Sequence, residues 1–562
     1  MQQICRNPWC KQSFEITEDD LALLDMVSPV IGGEKSPLPP PTLCQECRQQ
    51  RRLIYRNERV FYRRPCNKTW KDVISIYSAE KPCTVYDQTV WWSDDWDQLA
   101  TGRAFDETQP FFRQFYELSM AAPRPCIMNM GSENSEYTHH APYNKNCYMC
   151  INSGYNQDCF YVTSFSVHNK DCADCLAIQH CERCVECVDC KQCTSSTHLL
   201  ECENCADCSF CYDCQSCSNC FGCWNLRHTQ FCFQNTQLTK TEYQRKLQSI
   251  NVTSWNQLDA CQRSFTQSIE QQAIHRGTLM KQSEHCSGDH IVQCKDVRDS
   301  YYMFDCQQCA HCYDCGDTKS SMDALEPYHG ELQYETHGCN LGYNLSVCSK
   351  SYECNNVHLS EYCFSCSNCF GCFGLRKKQY CILNKQYTKE EYEKLVPRII
   401  EHMKKTDEWG EFFPANLSPF AYNETVAQEY FPLTKEEVLK RGWTWKEQKD
   451  ELPQVTRTIP ANKLPVNIAD IPDDVLNWAI ECEATKRPFK IIKQELDFYR
   501  TMRLPIPRLH PDDRHRKRMA MRNPRKLWKR PCMKCGKDIE TTYAPERPEI
   551  VYCEECYLKE VY

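Results

Sequence analysis

The chain has 562 residues, of which 46 are cysteine, with 25% charged and 41% hydrophobic residues and a formal net charge of −8. Its length suggests three or four domains. The start, Met-Gln-Gln-Ile-Cys-Arg-Asn-Pro-Trp-Cys, reads as no export signal. The absence of any run of about 18 apolar residues predicts no membrane helix. Cysteines paired as Cys-x-x-Cys without a signal read as metal thiolates in a reducing compartment, so a cytoplasmic location is expected and a secreted disulfide framework is not.

The first segment, residues 1–97, reads as a zinc-binding, arginine-rich module. Cys5-x4-Cys10 and Cys44-x2-Cys47 supply four thiolates, the donor set of a closed tetrahedral Zn²⁺ site with no position left for substrate. Residues 48–64 hold seven Arg against one Glu. Arg48, Arg52, Arg56 and Arg59 keep near one helical face. From a rigid zinc platform they would project toward phosphate, with Tyr55, Phe61 and Tyr62 interleaved for base stacking. The competing reading is that these arginines pair with the acidic body of the same chain. A second site retains only Cys66, because Thr69, Asp87 and Val90 stand where its partners would be.

Residues 98–250 and 251–400 are read as two cysteine-ladder blocks. Cysteine recurs every third position at 181, 184, 187, 190 and 193, a period that fits neither an amphipathic helix nor a simple alternating strand. Cys147 to Cys159, Cys220 to Cys232, Cys294 to Cys306 and Cys369 to Cys381 are each twelve apart. A twelve-residue coil with small cysteines inside predicts a narrow parallel β-solenoid. Its cysteines would be buried as small hydrophobes, with extra metal clusters and disulfides as the other readings. The blocks are duplicates: Cys217-Ser-Asn-Cys220-Phe-Gly-Cys223 matches Cys366-Ser-Asn-Cys369-Phe-Gly-Cys372. Each continues into a capping box, Thr239/Glu242 and Thr388/Glu391, that opens a helix. Trp91-Trp92-Ser-Asp-Asp-Trp96 and a helix near 110–121 are expected to cap the first block.

Residues 401–475 form a connector, with an exposed linker predicted over 446–470. Residues 476–562 repeat the N-terminal module: 44–91 align with 510–557 without a gap. Arg514, Arg518, Arg522 and Arg525 fall at the positions of Arg48, Arg52, Arg56 and Arg59, and Trp528 at that of Tyr62. Cys532-x2-Cys535 and Cys553-x2-Cys556 form a complete zinc ribbon. The other site of this copy keeps only Cys482, with Thr485, His510 and Asp513 in place of cysteine; that His/Cys/Asp remnant reads as ordinary core, a retained metal being the alternative. Each copy thus holds one zinc site, about two Zn²⁺ per chain. Residues 500–537 carry fourteen Lys and Arg against two Asp, so basic ends flank an acidic body, a distribution that suggests a polyanion or an acidic partner at the ends.

Cys44-x2-Cys47-Arg48 with Arg51-Arg52, Trp91-Trp-Ser-Asp, Glu133-Asn-Ser-Glu-Tyr137, Cys369-Phe-Gly-Cys372 and Glu411-Phe-Phe-Pro together resemble an uncharacterised family of cysteine-rich treble-clef and zinc-ribbon proteins of candidate-phylum bacteria. The resemblance implies zinc at Cys5, Cys10, Cys44 and Cys47 and at Cys532, Cys535, Cys553 and Cys556; it implies no activity.

The fold class expected is therefore mainly β: two cysteine-ladder β-solenoids flanked by treble-clef or zinc-ribbon modules, with short capping helices. No Gly-rich phosphate loop, His-Glu-x-x-His or nucleophile elbow occurs, so the expected function is a non-enzymatic zinc-binding scaffold contacting RNA or a ribonucleoprotein through its basic ends. A protein–protein scaffold with an acidic partner, and metal or thiol storage by the ladder, are the alternatives. No membrane partner is expected.

Overall fold

The structure is a computed structural model that describes residues 1–447 and 455–562. It forms two compact units, and neither is one continuous stretch. One comprises Met1–Ile127 with Thr278–Lys446, the other Met128–Gly277 with Glu447–Tyr562. Each terminal module therefore shares a unit with the ladder that lies further from it in sequence, rather than forming the consecutive segments 1–97, 98–250, 251–400, 401–475 and 476–562.

Both ladders are built from one rule. Segments pair in parallel with the segment twelve residues further on, as Cys220 with Cys232, Cys369 with Cys381 and Glu182 with Thr194. In the first unit this produces a 12-stranded sheet. The period of three arises from the backbone. Asp171, Asp174, Ala177, His180, Arg183, Glu186, Asp189 and Gln192 all adopt φ between 49° and 53°. Each left-handed residue turns the chain, the next residue points its side chain inward, and the third lies extended and pairs with its neighbours. Left-handed backbone costs most residues energy, and Asp and Asn least. These two types recur at the corners, and the strain is offset by hydrogen bonds between successive turns, such as Asp174 N–H to Phe160 O at 3.1 Å and Leu176 N–H to Cys187 O at 2.9 Å.

Most inward positions are cysteines, buried in columns from Cys147 to Cys232, from Cys294 to Cys315 and from Cys339 to Cys381. Ile178, Leu199, Met303, Leu345 and Leu375 share these columns, so larger apolar side chains also fit inside. All the cysteines are free thiols. The sulfurs donate to backbone carbonyls nine residues ahead, as Cys150 to Cys159 O at 3.4 Å and Cys348 to Val357 O at 3.1 Å. Burial pushes the Cys150, Cys187 and Cys348 thiols up. Cys147 is held down to about 4 by hydrogen bonds from Cys150 and Cys159, and those two are pushed up by burial first and by the same bonds second.

Both ladders end in antiparallel hairpins, Gln230–Phe233 with Thr236–Gln237 and Gln379–Ile382 with Lys385–Gln386. The helices Lys240–Gln248 and Lys389–Lys405 follow, each opened by its predicted capping box. The tryptophan segment and the helix Phe111–Ala121 pack on the second block, not the first. Trp91 and Trp92 meet Phe364 at 5.4 and 4.7 Å, and Phe111 meets Phe370 at 5.4 Å. These are aromatic contacts at extended ladder positions, whose partners a sequence pattern does not specify.

The predicted linker is shorter than expected. Residues 448–454 lie outside the described residues, but Arg457–Pro460 forms a strand parallel to Trp478–Glu481. Ile459, Leu464, Ile468 and Ile471 are buried behind it. Among the described residues no helix is long and apolar enough to cross a membrane.

Candidate metal centres and arginine helices

The N-terminal cysteine tetrad is assembled by a knuckle and a helix start. Cys5 and Cys10 lie between the paired strands Gln2–Ile4 and Ser13–Glu15. Cys44 caps the helix Gln45–Leu53, and Cys47 lies in its first turn. The four sulfurs lie within 4.8 Å of one another, and Cys10 and Cys44 are 3.7 Å apart. A tetrahedral ion with bonds of ~2.3 Å separates its sulfur ligands by ~3.8 Å, so the tetrad fits Zn²⁺. The Cys44 N–H donates to Cys5 Sγ at 3.3 Å and Asn7 Nδ2 to Cys47 Sγ at 3.1 Å. Hydrogen bonding from Cys47 holds the Cys44 thiol down to about 5 against the opposing effect of burial, and a helix N-terminus favours the same charge.

The C-terminal tetrad repeats this construction. Cys532 follows the strand Trp528–Pro531, Cys535 completes the knuckle, and Cys553 caps the helix Glu554–Val561, which carries Cys556. Cys535 and Cys553 are 3.8 Å apart, and the Cys553 N–H donates to Cys532 Sγ at 3.2 Å. Burial acts to raise the Cys532 thiol, but N–H donors from Cys535, Cys553 and Lys534 bring it down to about 6. Exposure separates the two tetrads: Cys5, Cys44 and Cys47 are buried, whereas Cys535 is exposed and Cys553 half-buried. These two tetrads are the candidate metal clusters among the described residues.

The two degraded sites keep the knuckle geometry without the donors. Cys66 N–H bonds Lys71 O at 2.9 Å, Cys482 N–H bonds Arg487 O at 3.0 Å and Cys532 N–H bonds Lys537 O at 2.8 Å. The left-handed position of the knuckle is Trp70, Lys486 and Gly536 respectively. Hydrogen bonds then replace the metal. Cys482 Sγ and Thr485 Oγ1 both donate to Asp513 Oδ2, at 3.0 and 2.8 Å. His510 Nδ1 accepts from the Asp512 N–H at 3.1 Å as a helix cap. At the other degraded site the Asp87 N–H donates to Cys66 Sγ at 3.2 Å.

The arginine track faces inward. Six of the eight arginines are engaged in ion pairs with the ladder of their own unit, so the placement expected for nucleic-acid contact is corrected at Arg48, Arg52, Arg56, Arg514, Arg518 and Arg522. Arg48 Nε donates to Asp323 Oδ2 at 2.7 Å, while Arg52 donates to Asp323 Oδ1 at 3.1 Å and to Glu335 Oε2 at 2.6 Å. Arg56 pairs with Glu58 and Glu326. In the other unit Arg514 and Arg518 both pair with Asp174, the latter at 2.9 Å, and Arg518 lies 3.7 Å from Glu186. Arg522 Nε donates to Asp189 Oδ2 at 2.9 Å. Arg59 and Arg525 are half-buried. Tyr55 is buried with its hydroxyl on Pro414 O at 2.8 Å, and the Tyr62 hydroxyl donates to Glu424 at 2.5 Å.

Burial disfavours the Asp323 and Asp174 charges, yet the paired guanidiniums hold both carboxyls below the usual range. Buried Glu495, 3.3 Å from Arg514, goes the other way: burial lifts it to about 7 and Arg514 offsets only part of this. The acids that receive the arginines went unnoticed in the sequence. A signal was available, since Asp174 and Glu186 stand in the first block where Asp323 and Glu335 stand in the second.

No family model and no curated protein matches this chain. Among solved structures, a putative acetyltransferase from Desulfovibrio desulfuricans G20 is similar at 6% identity with a TM-score of 0.10. That comparison covers 44% of this chain and 63% of the other, so this chain spans less than two thirds of that protein's length.

Proposed function

We propose that the chain is a non-enzymatic, zinc-clamped scaffold. It is built of two β-solenoids, each braced along one flank by a treble-clef or zinc-ribbon module, with the outer ladder faces serving protein partners. The observation that carries this reading is the burial of both arginine helices on ladder carboxylates, with Arg52 and Arg518 each 1% exposed. A side chain buried in a hydrogen-bonded ion pair is spent on holding the module in place. The metal's part is to fold the module that carries that helix. Storage by the ladder is the weaker reading, because the inward sulfurs lie against backbone carbonyls and, among the described residues, the only cysteine tetrads that converge are the two outside the ladders.

An RNA or ribonucleoprotein contact would have to use other cations, namely the exposed Lys526, Lys529, Lys534 and Lys537 beside Trp528. Elemental analysis of the purified chain tests the scaffold reading. About two zinc per chain supports it, and many more supports storage. Partner capture that survives nuclease treatment and moderate salt favours a protein partner, whereas capture lost steeply with salt favours RNA.

A further inference from the structure

One face of the second ladder carries an aromatic slot. In the 12-stranded sheet Phe304 pairs with Gly316, and Gly316 with Tyr328. The extended position between corners therefore reads aromatic, nothing, aromatic on three successive turns. Phe304 is 44% exposed and Tyr328 51%. A carbon placed on Gly316 would lie 3.8 Å from Phe304 Cδ1 and 3.7 Å from Tyr328 Cδ2, in ordinary van der Waals contact with both rings. The two rings thus flank the bare backbone of Gly316, one on each side. Gly316 does not have a positive φ, so nothing in its backbone requires glycine; what the missing side chain leaves is the slot.

The charges around the slot are acidic. Asp305 and Asp317 follow the slot residues at one corner and Asp314 precedes Gly316 at the other. Asp317 pairs with His329 Nδ1 at 2.7 Å, and Glu326 with Arg56. Lys319 belongs to the next side of the coil, where it pairs with Gln307. Such a field repels phosphate and attracts cations. A guanidinium is planar, weakly hydrated and suited to aromatic faces, and its edges match carboxylates. We propose that the Phe304–Gly316–Tyr328 slot binds the guanidinium of an arginine presented by a protein partner. This deepens the scaffold reading and rests on it.

Saturation-transfer NMR with the full-length zinc-loaded chain tests the proposal, using Nα-acetyl-arginine amide, Nα-acetyl-lysine amide and adenosine as probes. Transfer to the arginine side-chain methylenes is expected, at least fivefold stronger than to the other two probes. Gly316→Leu, which fills the slot, is expected to reduce it at least fivefold, as is Asp305→Asn combined with Asp317→Asn. If Gly316→Leu does not fold, Phe304→Ala with Tyr328→Ala on the exposed face replaces it. Undiminished transfer in the slot variants, equal transfer to adenosine, or no transfer to the arginine probe would overturn the assignment. Zinc content measured on the same samples reports the scaffold reading separately: a folded chain without zinc sinks that reading, whatever the probes show.

Discussion

Asp174 and Asp323 occupy matching positions in the two ladders, and each receives two guanidiniums from a terminal helix: Asp174 from Arg514 and Arg518, Asp323 from Arg48 and Arg52. The arginines match one another as the aspartates do. Two separate repeats in the chain, one of modules and one of ladders, therefore meet at the same contact.

That contact is fully desolvated in the first unit, where the Arg52, Asp323 and Glu335 side chains are 1%, 0% and 0% exposed. Removing one partner strands a buried charge. Arg52→Met or Asp323→Leu alone is expected to lower stability by about 3–5 kcal/mol, whereas neutralising all partners together costs much less. Denaturant midpoints of the single and combined variants measure the difference.

The pH profile has two opposing contributions. Asp174 and Asp323 are depressed in the folded chain. Their contribution is present above the unfolded value of about 3.9 and is lost as pH falls toward the lower folded value. Glu495 is raised to about 7. Its protonated form is favoured on folding, so stability falls as pH rises from about 4.3 through about 7. Glu495→Gln is expected to shrink that decline, leaving the part due to Glu326, which burial also lifts to about 7, and to leave the acid limb in place, as read from urea midpoints between pH 3 and pH 8.

The two metal centres are expected to differ in lability. Cys535 is exposed, whereas Cys5 is 2% and Cys44 5% exposed. A chelator should release zinc in two phases, with the C-terminal ion first. Cys553→Ser should remove the fast phase and Cys47→Ser the slow one. A single phase of two equivalents would contradict this.

Thiol chemistry separates the ladder from its surroundings. Cys261 and Cys286 are half-buried outside the tetrads, so an alkylating reagent is expected to label these two in the native zinc-loaded chain and the inward columns only after unfolding. Cys348→Leu, at 0% exposure, should destabilise by about 1–3 kcal/mol through overpacking. Mass spectrometry of the labelled sites and thermal melts provide the two readouts.

The sequence carried the two cysteine tetrads in full, because ligand spacing is local and metal geometry admits few alternatives. The twelve-residue interval at Cys220/Cys232 and Cys369/Cys381 was equally plain, and the structure pairs both in parallel. The direction of the arginine track was not legible. A helical face rich in Arg reads the same whether it meets water, phosphate or carboxylate, and here the answer lay hundreds of residues away at Asp323 and Asp174. The destination of Trp91 and Phe111 was hidden for the same reason. The period of three at Cys181 to Cys193 was visible, but its cause, a left-handed corner at each third residue, leaves only a weak compositional trace at His180 or Arg183.

Those corners have a consequence for how the chain tolerates length changes. Between Thr163 and Ser166 the register shifts by a residue, and Ser164 and Phe165 are both left-handed. The extra residue is absorbed within one bend, and the columns above and below stay aligned. An insertion at a bend is a local event in this architecture, while an insertion of a full twelve residues would add one more storey and displace no existing neighbour pair except the one it separates. The ladder can thus be lengthened or shortened in whole steps, making its reach an adjustable dimension of the protein.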